Sequence, residues 1–233
     1  MTRYAAMVLW FALAAQATWV ILNVLTLHRS PGLDVLGGVI LVSFATFAAL
    51  HARPGWRWLS VLVRVIMAAD FLLAVGDRFG LFGPAGTPGV TTGDFAHFVD
   101  YTRTVTTFLP DGLAPTLAVL ATVAEIALAS ALLLGLRLRL AALGAAGLLV
   151  IYGTSMMISL PVAEQFRYNV FVLAAGMLVL AGLTKIPLTL DAVLARQRLA
   201  AEQAQVSPHE PVIGTGYAER ETRIEDQAIQ RAD

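Results

Sequence analysis

The sequence predicts an all-α, polytopic membrane bundle, and three observations predict it. First, 58% of the 233 residues are hydrophobic and 14% are charged, whereas soluble domains run near roughly 45–50% and 25%. Second, the excess is gathered into six runs, most near the ~20 residues needed to cross a hydrocarbon core ~30 Å thick. Third, turn chemistry or charge separates each run from the next: HRSPG, HARPGWR, a long Gly/Pro-rich stretch, RLR and PVAEQ.

The first run, 4–27, is about twice as long as the apolar core of a signal peptide, and HRSPG is no small-residue cleavage pattern. It is therefore read as a retained span. The second and third runs are 33–50 and 58–76, with Trp56 and Trp58 at an interface that suits an indole. The connection 77–112 contains an amphipathic helix, 94–109, capped by Asp94, whose apolar face carries Phe95, Phe98, Val99, Val105 and Phe108. It is expected to lie along the outer membrane surface. Runs 113–136, 140–160 and 166–186 complete the set. After Pro187, DAVLARQRLAAEQAQ reads as a short surface helix, and the rest of 189–233 as a largely disordered tail.

Lys and Arg near the run ends set the orientation. Arg3, Arg53, Arg57, Arg137, Arg139, Lys185, Arg196 and Arg198 fall on one side, against Arg29, Arg78, Arg103 and Arg167 on the other. Both termini are therefore expected to be cytoplasmic. Sixteen basic residues balance sixteen acidic ones, so nucleic-acid binding is not implied. With no cysteine, thiolate metal sites and disulfide chemistry are closed to the chain. His28 and His51 end the first and second runs on opposite sides, His97 lies in the connection 77–112 and His209 in the tail, so no intramembrane bis-histidine site is expected, and no Walker loop, GxGxxG, HExxH or GxSxG occurs. No metal and no nucleotide are expected.

Charges at membrane depth are costly and usually have partners. Counted along ideal helices, Arg64 and Glu125 lie at about equal depth on consecutive spans, which predicts an ion pair between them. Ala118, Thr122 and Ala129 share the Glu125 face, and small residues there let the third span approach. Asp70 falls level with Tyr152, whose phenol could donate to it. Ser155 and Ser159 continue the Tyr152 face and are expected to bond back to their own helix. Asp77, Arg78 and Asn169 sit at the outer level. Arg64 with Glu125 reads either as a structural clamp or as a ligand- or proton-handling pair, and both readings stand.

Residues 57–184 resemble the DoxX family of small bacterial membrane proteins. The likeness is carried by RVIMAADFLLAVGDRFGLF with Arg64, Phe71, Gly76 and Arg78, by the span bearing Glu125 before LLLGLRLR, and by YNVFVLAAGMLVLAG with Asn169 and Gly182. Arg78 stands where the family commonly carries lysine, and residues 1–56 add two spans to a four-helix domain, 57–188. The resemblance implies a bacterial inner membrane and, for some relatives, the membrane subunit of a thiosulfate:quinone oxidoreductase. On that reading Arg64, Tyr152, Arg78 and Asn169 hold a quinone, Glu125 and Asp70 move protons, and a redox partner subunit supplies electrons. A homo-oligomer is compatible with it. The alternatives are a non-catalytic scaffold for a partner protein and, third, a small-molecule transporter.

Overall fold

The computed structural model describes residues 2–27, 40, 43, 57–183 and 186–206. The expected second span and the tail beyond 206 lie outside them. The described residues form eight α-helices and no strand: α1 Thr2–Leu27, α2 Arg57–Arg78, α3 Phe95–Val105, α4 Ala114–Leu134, α5 Leu138–Ser159, α6 Ala163–Arg167, α7 Val170–Gly182 and α8 Leu190–Val206. A 3-10 turn, Asp111–Leu113, leads into α4. Among the described residues, three stretches, Tyr4–Leu25, Asp111–Leu134 and Leu138–Ser159, are long and apolar enough to cross a membrane.

The faces of these helices are distributed as a lipid solvent requires. In α4 the buried side is Ala118, Thr122, Glu125, Ala129 and Leu132, while Val119, Leu120, Val123, Ile126 and Leu133 are exposed. Small and polar residues turn inward and bulky aliphatics outward, because lipid tails accept leucine as readily as a protein core does. The α2–α4 contact expected from the small residues around Glu125 is present.

The short helix α7 sits between α5 and α1. Ala142, Ala145 and Ala146 of α5 and Ala174 and Ala181 of α7 belong to one buried cluster. Gly153 lies so close to α7 that a Cβ there would stand 2.8 Å from the Phe171 ring. On the other side Ala5, Leu9 and Leu13 of α1 pack with Val172, Ala175 and Val179. The expected continuous span 166–186 is instead interrupted. Asn169 adopts a left-handed backbone, φ +53°, which ends α6 and starts α7 in a new direction. With 13 residues, α7 is about 20 Å long.

At one pole, named here for Gly135, the chain after α7 is fastened to the bundle. Asp191 takes backbone N–H groups from Arg137 (2.8 Å) and Leu138 (3.0 Å) at the α5 N-terminus, where a carboxylate is favoured. Its own N–H reaches the Gly135 carbonyl at 3.3 Å. Gly135 caps α4 at φ +64°, and a Cβ there would lie 2.5 Å from Arg64 Nη1 and 2.8 Å from Thr189 Cα. The described residues beyond Ala192, 193–206, belong to a second unit and are the remainder of α8.

At the opposite pole, α3 lies against α4 and α5. It ends at Val105, short of the expected residue 109, so Phe108 leaves the apolar face and is exposed. Phe98 and Thr102 form the buried side. Ser159 does not bond back to its own helix: its hydroxyl donates to Val105 O at 3.0 Å and meets Thr107 Oγ1 at 2.9 Å. Asp77 secures the loop before α3, accepting from Thr91 N, Thr92 N and Thr92 Oγ1.

Gly135→Ala is expected to lower the thermal unfolding midpoint, since a left-handed non-glycine residue costs about 1–2 kcal/mol and the clash with Thr189 adds to it. A midpoint equal to wild type would show that the pole is not packed as described. The α3 cap gives a pH test. The backbone N–H of His97, then the His97 ring, hold the Asp94 carboxyl below its ordinary range. A depressed folded pKa means that the cap is in place above about pH 4 and is lost as pH falls through the lower folded value. Hydrogen exchange at the His97 amide should accelerate, relative to the intrinsic rate, only in that acid window. Asp94→Ala should abolish the transition.

Candidate functional site

A buried polar cluster ties four helices together near the Phe98 pole. Arg78, the last residue of α2, extends its guanidinium into the bundle. Its Nη2 donates to Glu125 Oε1 at 2.8 Å and Nη1 to Thr122 Oγ1 at 3.0 Å. Nη1 also stands 2.8 Å from Glu125 Oε2. From α5, Tyr152 donates its phenol to Glu125 Oε1 at 2.6 Å. From α3, the Phe98 ring lies under the guanidinium, 3.7 Å from its carbon, in a cation–π contact. The Arg78 and Glu125 side chains are 8% and 2% exposed.

Local sequence explains each placement. Thr122 and Glu125 are three residues apart on one face of α4, and Thr122 donates to Ala118 O at 2.9 Å, which leaves its oxygen free to accept from Arg78. Phe98 is on the face of α3 turned to the bundle. Tyr152 is half-buried, the one member of the cluster that is not fully buried. The three ionisable groups can share protons and hydrogen bonds, and the anion is stabilised by a fixed guanidinium.

Two expected pairs are not formed. Arg64 does not meet Glu125; its Nη2 donates to Leu188 O at 2.9 Å, beside the end of α4 at Gly135. Asp70 does not accept from Tyr152, and is exposed on the flank of α2. The cause is helix register: the Arg64 guanidinium reaches the end of α4 at Gly135, whereas Arg78 reaches Thr122 and Glu125.

Arg64 is 3% exposed, and the C-terminal end of α4 beside it is the negative end of the helix dipole. It reads as a clamp of the Gly135 pole. Asn169 is buried at the N-terminus of α7. Three buried contributors were not foreseen as site residues. Phe98 was visible as part of an apolar face. Gln16, whose Nε2 donates to Phe166 O at 2.8 Å, was visible as an amide inside the first span. Gln165, at 1% exposure, gave no signal beyond its polar type.

Comparison with protein-family models, curated proteins and solved structures finds no match to this chain.

Arg78→Met should destabilise the protein by about 3–5 kcal/mol, the usual cost of leaving one partner of a buried ion pair alone. Adding Glu125→Gln should recover part of that loss. Additive effects in this double-mutant cycle, read by thermal unfolding, would contradict direct pairing.

Proposed function

We propose that the chain is the membrane-embedded subunit of a quinone-linked redox system of the kind that the DoxX resemblance implies. What carries the reading is Glu125, buried inside an apolar span and held between a guanidinium and a phenol. A quinone carbonyl needs donors and a proton source inside an apolar slot, and this donor set fits that need in kind. Arg78 and Tyr152 would hold the head group, the quinone would supply the electron-accepting chemistry, and a partner subunit would supply the electrons.

The chain's own part is confined to hydrogen bonds and protons. Arg78 fixes the Glu125 carboxylate. Tyr152, half-buried, would be the donor that turns from Glu125 toward an incoming oxygen, and the Glu125 carboxylate would take up a proton from water before passing it to the phenolate. Arg64 and Asp70 enter this reading only at a distance, because neither touches the cluster.

A non-catalytic scaffold is the second reading, and one observation favours it: Arg78 bonds to both Thr122 and Glu125, and Tyr152 to Glu125. Such a cluster locks α2, α4 and α5 whether or not anything binds.

Extraction of the purified protein for bound quinone, with thiosulfate-dependent reduction of a soluble quinone by the complex, separates the two. The redox reading expects co-purified quinone, with turnover reduced tenfold or more in Glu125→Gln and Tyr152→Phe. The scaffold reading expects neither quinone nor turnover, and a loss of thermal stability alone in both variants.

A further inference from the structure

Asp70 is a carboxylate at membrane depth that the fold leaves open. Earlier on α2, Arg64 lies against the end of α4 at Gly135, and further on Arg78 bonds to Thr122 and Glu125 inside α4. Asp70 stands between them, alongside the candidate span Asp111–Leu134. Arg64, Arg78 and Glu125 are buried, whereas Asp70 is exposed. Among the described residues no cation pairs with it.

The chain has no further cation to offer at that depth. Apart from Arg167 and Lys185 at run ends, the six apolar runs hold one basic residue, Arg64. Arg64 is buried against Leu188 O, and Arg78 is engaged with Glu125. The run 33–50, expected as the second span, has no Lys or Arg in its sequence. A second copy of the chain would bring the same two engaged arginines, and a two-fold contact on this flank would set one Asp70 toward the other. An ionised side chain within a span is costly unless a partner meets it.

Asp70 also sits in an apolar stripe. Trp58, Leu62, Ile66, Asp70 and Leu73 recur at helical steps along one side of α2, and Trp58, Leu62 and Leu73 are 57%, 48% and 55% exposed. We infer that this stripe is the docking face for a transmembrane helix of a different protein, one carrying a lysine or arginine at mid-membrane depth that pairs with Asp70. The leucines supply contact area, and the ion pair sets the depth and rotation of the incoming helix. Both readings of the function call for a second chain, and the inference depends on neither.

The test reconstitutes the full chain in phosphatidylcholine vesicles with a synthetic transmembrane peptide of about 20 leucines and alanines bearing one central lysine. The chain has no cysteine, so Thr104→Cys, at an exposed position of α3, takes a donor dye, and the peptide N-terminus takes the acceptor. Saturable energy transfer is expected, about tenfold tighter than for a peptide with leucine in place of the lysine, the size that interhelical polar contacts reach in model peptides. Asp70→Asn should remove the preference. Asp70→Lys should transfer it to a peptide with a central aspartate, a reversal that loss of fold does not produce; where Asp70→Lys does not fold, Asp70→Asn decides alone. Equal affinities for the lysine and leucine peptides would overturn the inference, as would a preference that survives Asp70→Asn. Transfer between donor- and acceptor-labelled copies of the chain that vanishes in Asp70→Asn would overturn it in favour of a second copy. No arm involves quinone or turnover, so failure here leaves the proposed function to its own test.

Discussion

A guanidinium and a carboxylate taken out of water have to find each other, and the Phe98 half of this bundle is arranged around that requirement. An isolated charge in hydrocarbon costs several kcal/mol. Arg78 and Glu125 offset the cost together, with Thr122, Tyr152 and Phe98 completing the shell. Because those five side chains come from α2, α3, α4 and α5, one electrostatic constraint fixes the mutual placement of four helices. Alanine and glycine packing then does the rest, bringing α7 against α5 and α1 without further charge.

The Gly135 pole obeys the same constraint by other means. Among the described residues Arg64 has no carboxylate partner there; it meets the Leu188 carbonyl and lies at the negative end of α4. Asp191 supplies the opposite match, a carboxylate on the positive end of α5. Helix termini thus serve as counter-charges where side-chain partners are missing, and Gly135 makes the approach close enough to count. The matching is left incomplete at Arg64 Nε and Nη1 and at both amide atoms of Gln165, which have no hydrogen-bond partner among the described residues.

The fold was legible in the sequence because span length and composition respond to the thickness of the bilayer. Helices α1, α2, α4 and α5 follow the apolar runs closely. The face of α4 was legible too, since Ala118, Thr122, Glu125 and Ala129 recur at helical spacing. Partner choice was not. Counting residues from span ends assumes that the ends are level, whereas the Arg64 guanidinium reaches the end of α4 at Gly135 and Arg78 takes Glu125. No local pattern encodes that offset. The interruption at Asn169 had one local signal: VFVLAAG after it is apolar throughout, and Asn169 itself is a polar residue of a type that tolerates the left-handed conformation. The chemistry of Glu125 as a buried carboxylate could be read; its partners required coordinates.

The account stands on which arginine meets Glu125. Magic-angle-spinning NMR of the chain in lipid, labelled with ¹³C in glutamate and ¹⁵N in arginine, measures this directly through carboxylate-to-guanidinium dipolar couplings. A strong coupling from the Glu125 carboxylate to the guanidinium nitrogens of Arg78, lost in Arg78→Lys, is the expected result. A coupling that survives that substitution and disappears instead in Arg64→Lys would contradict the account.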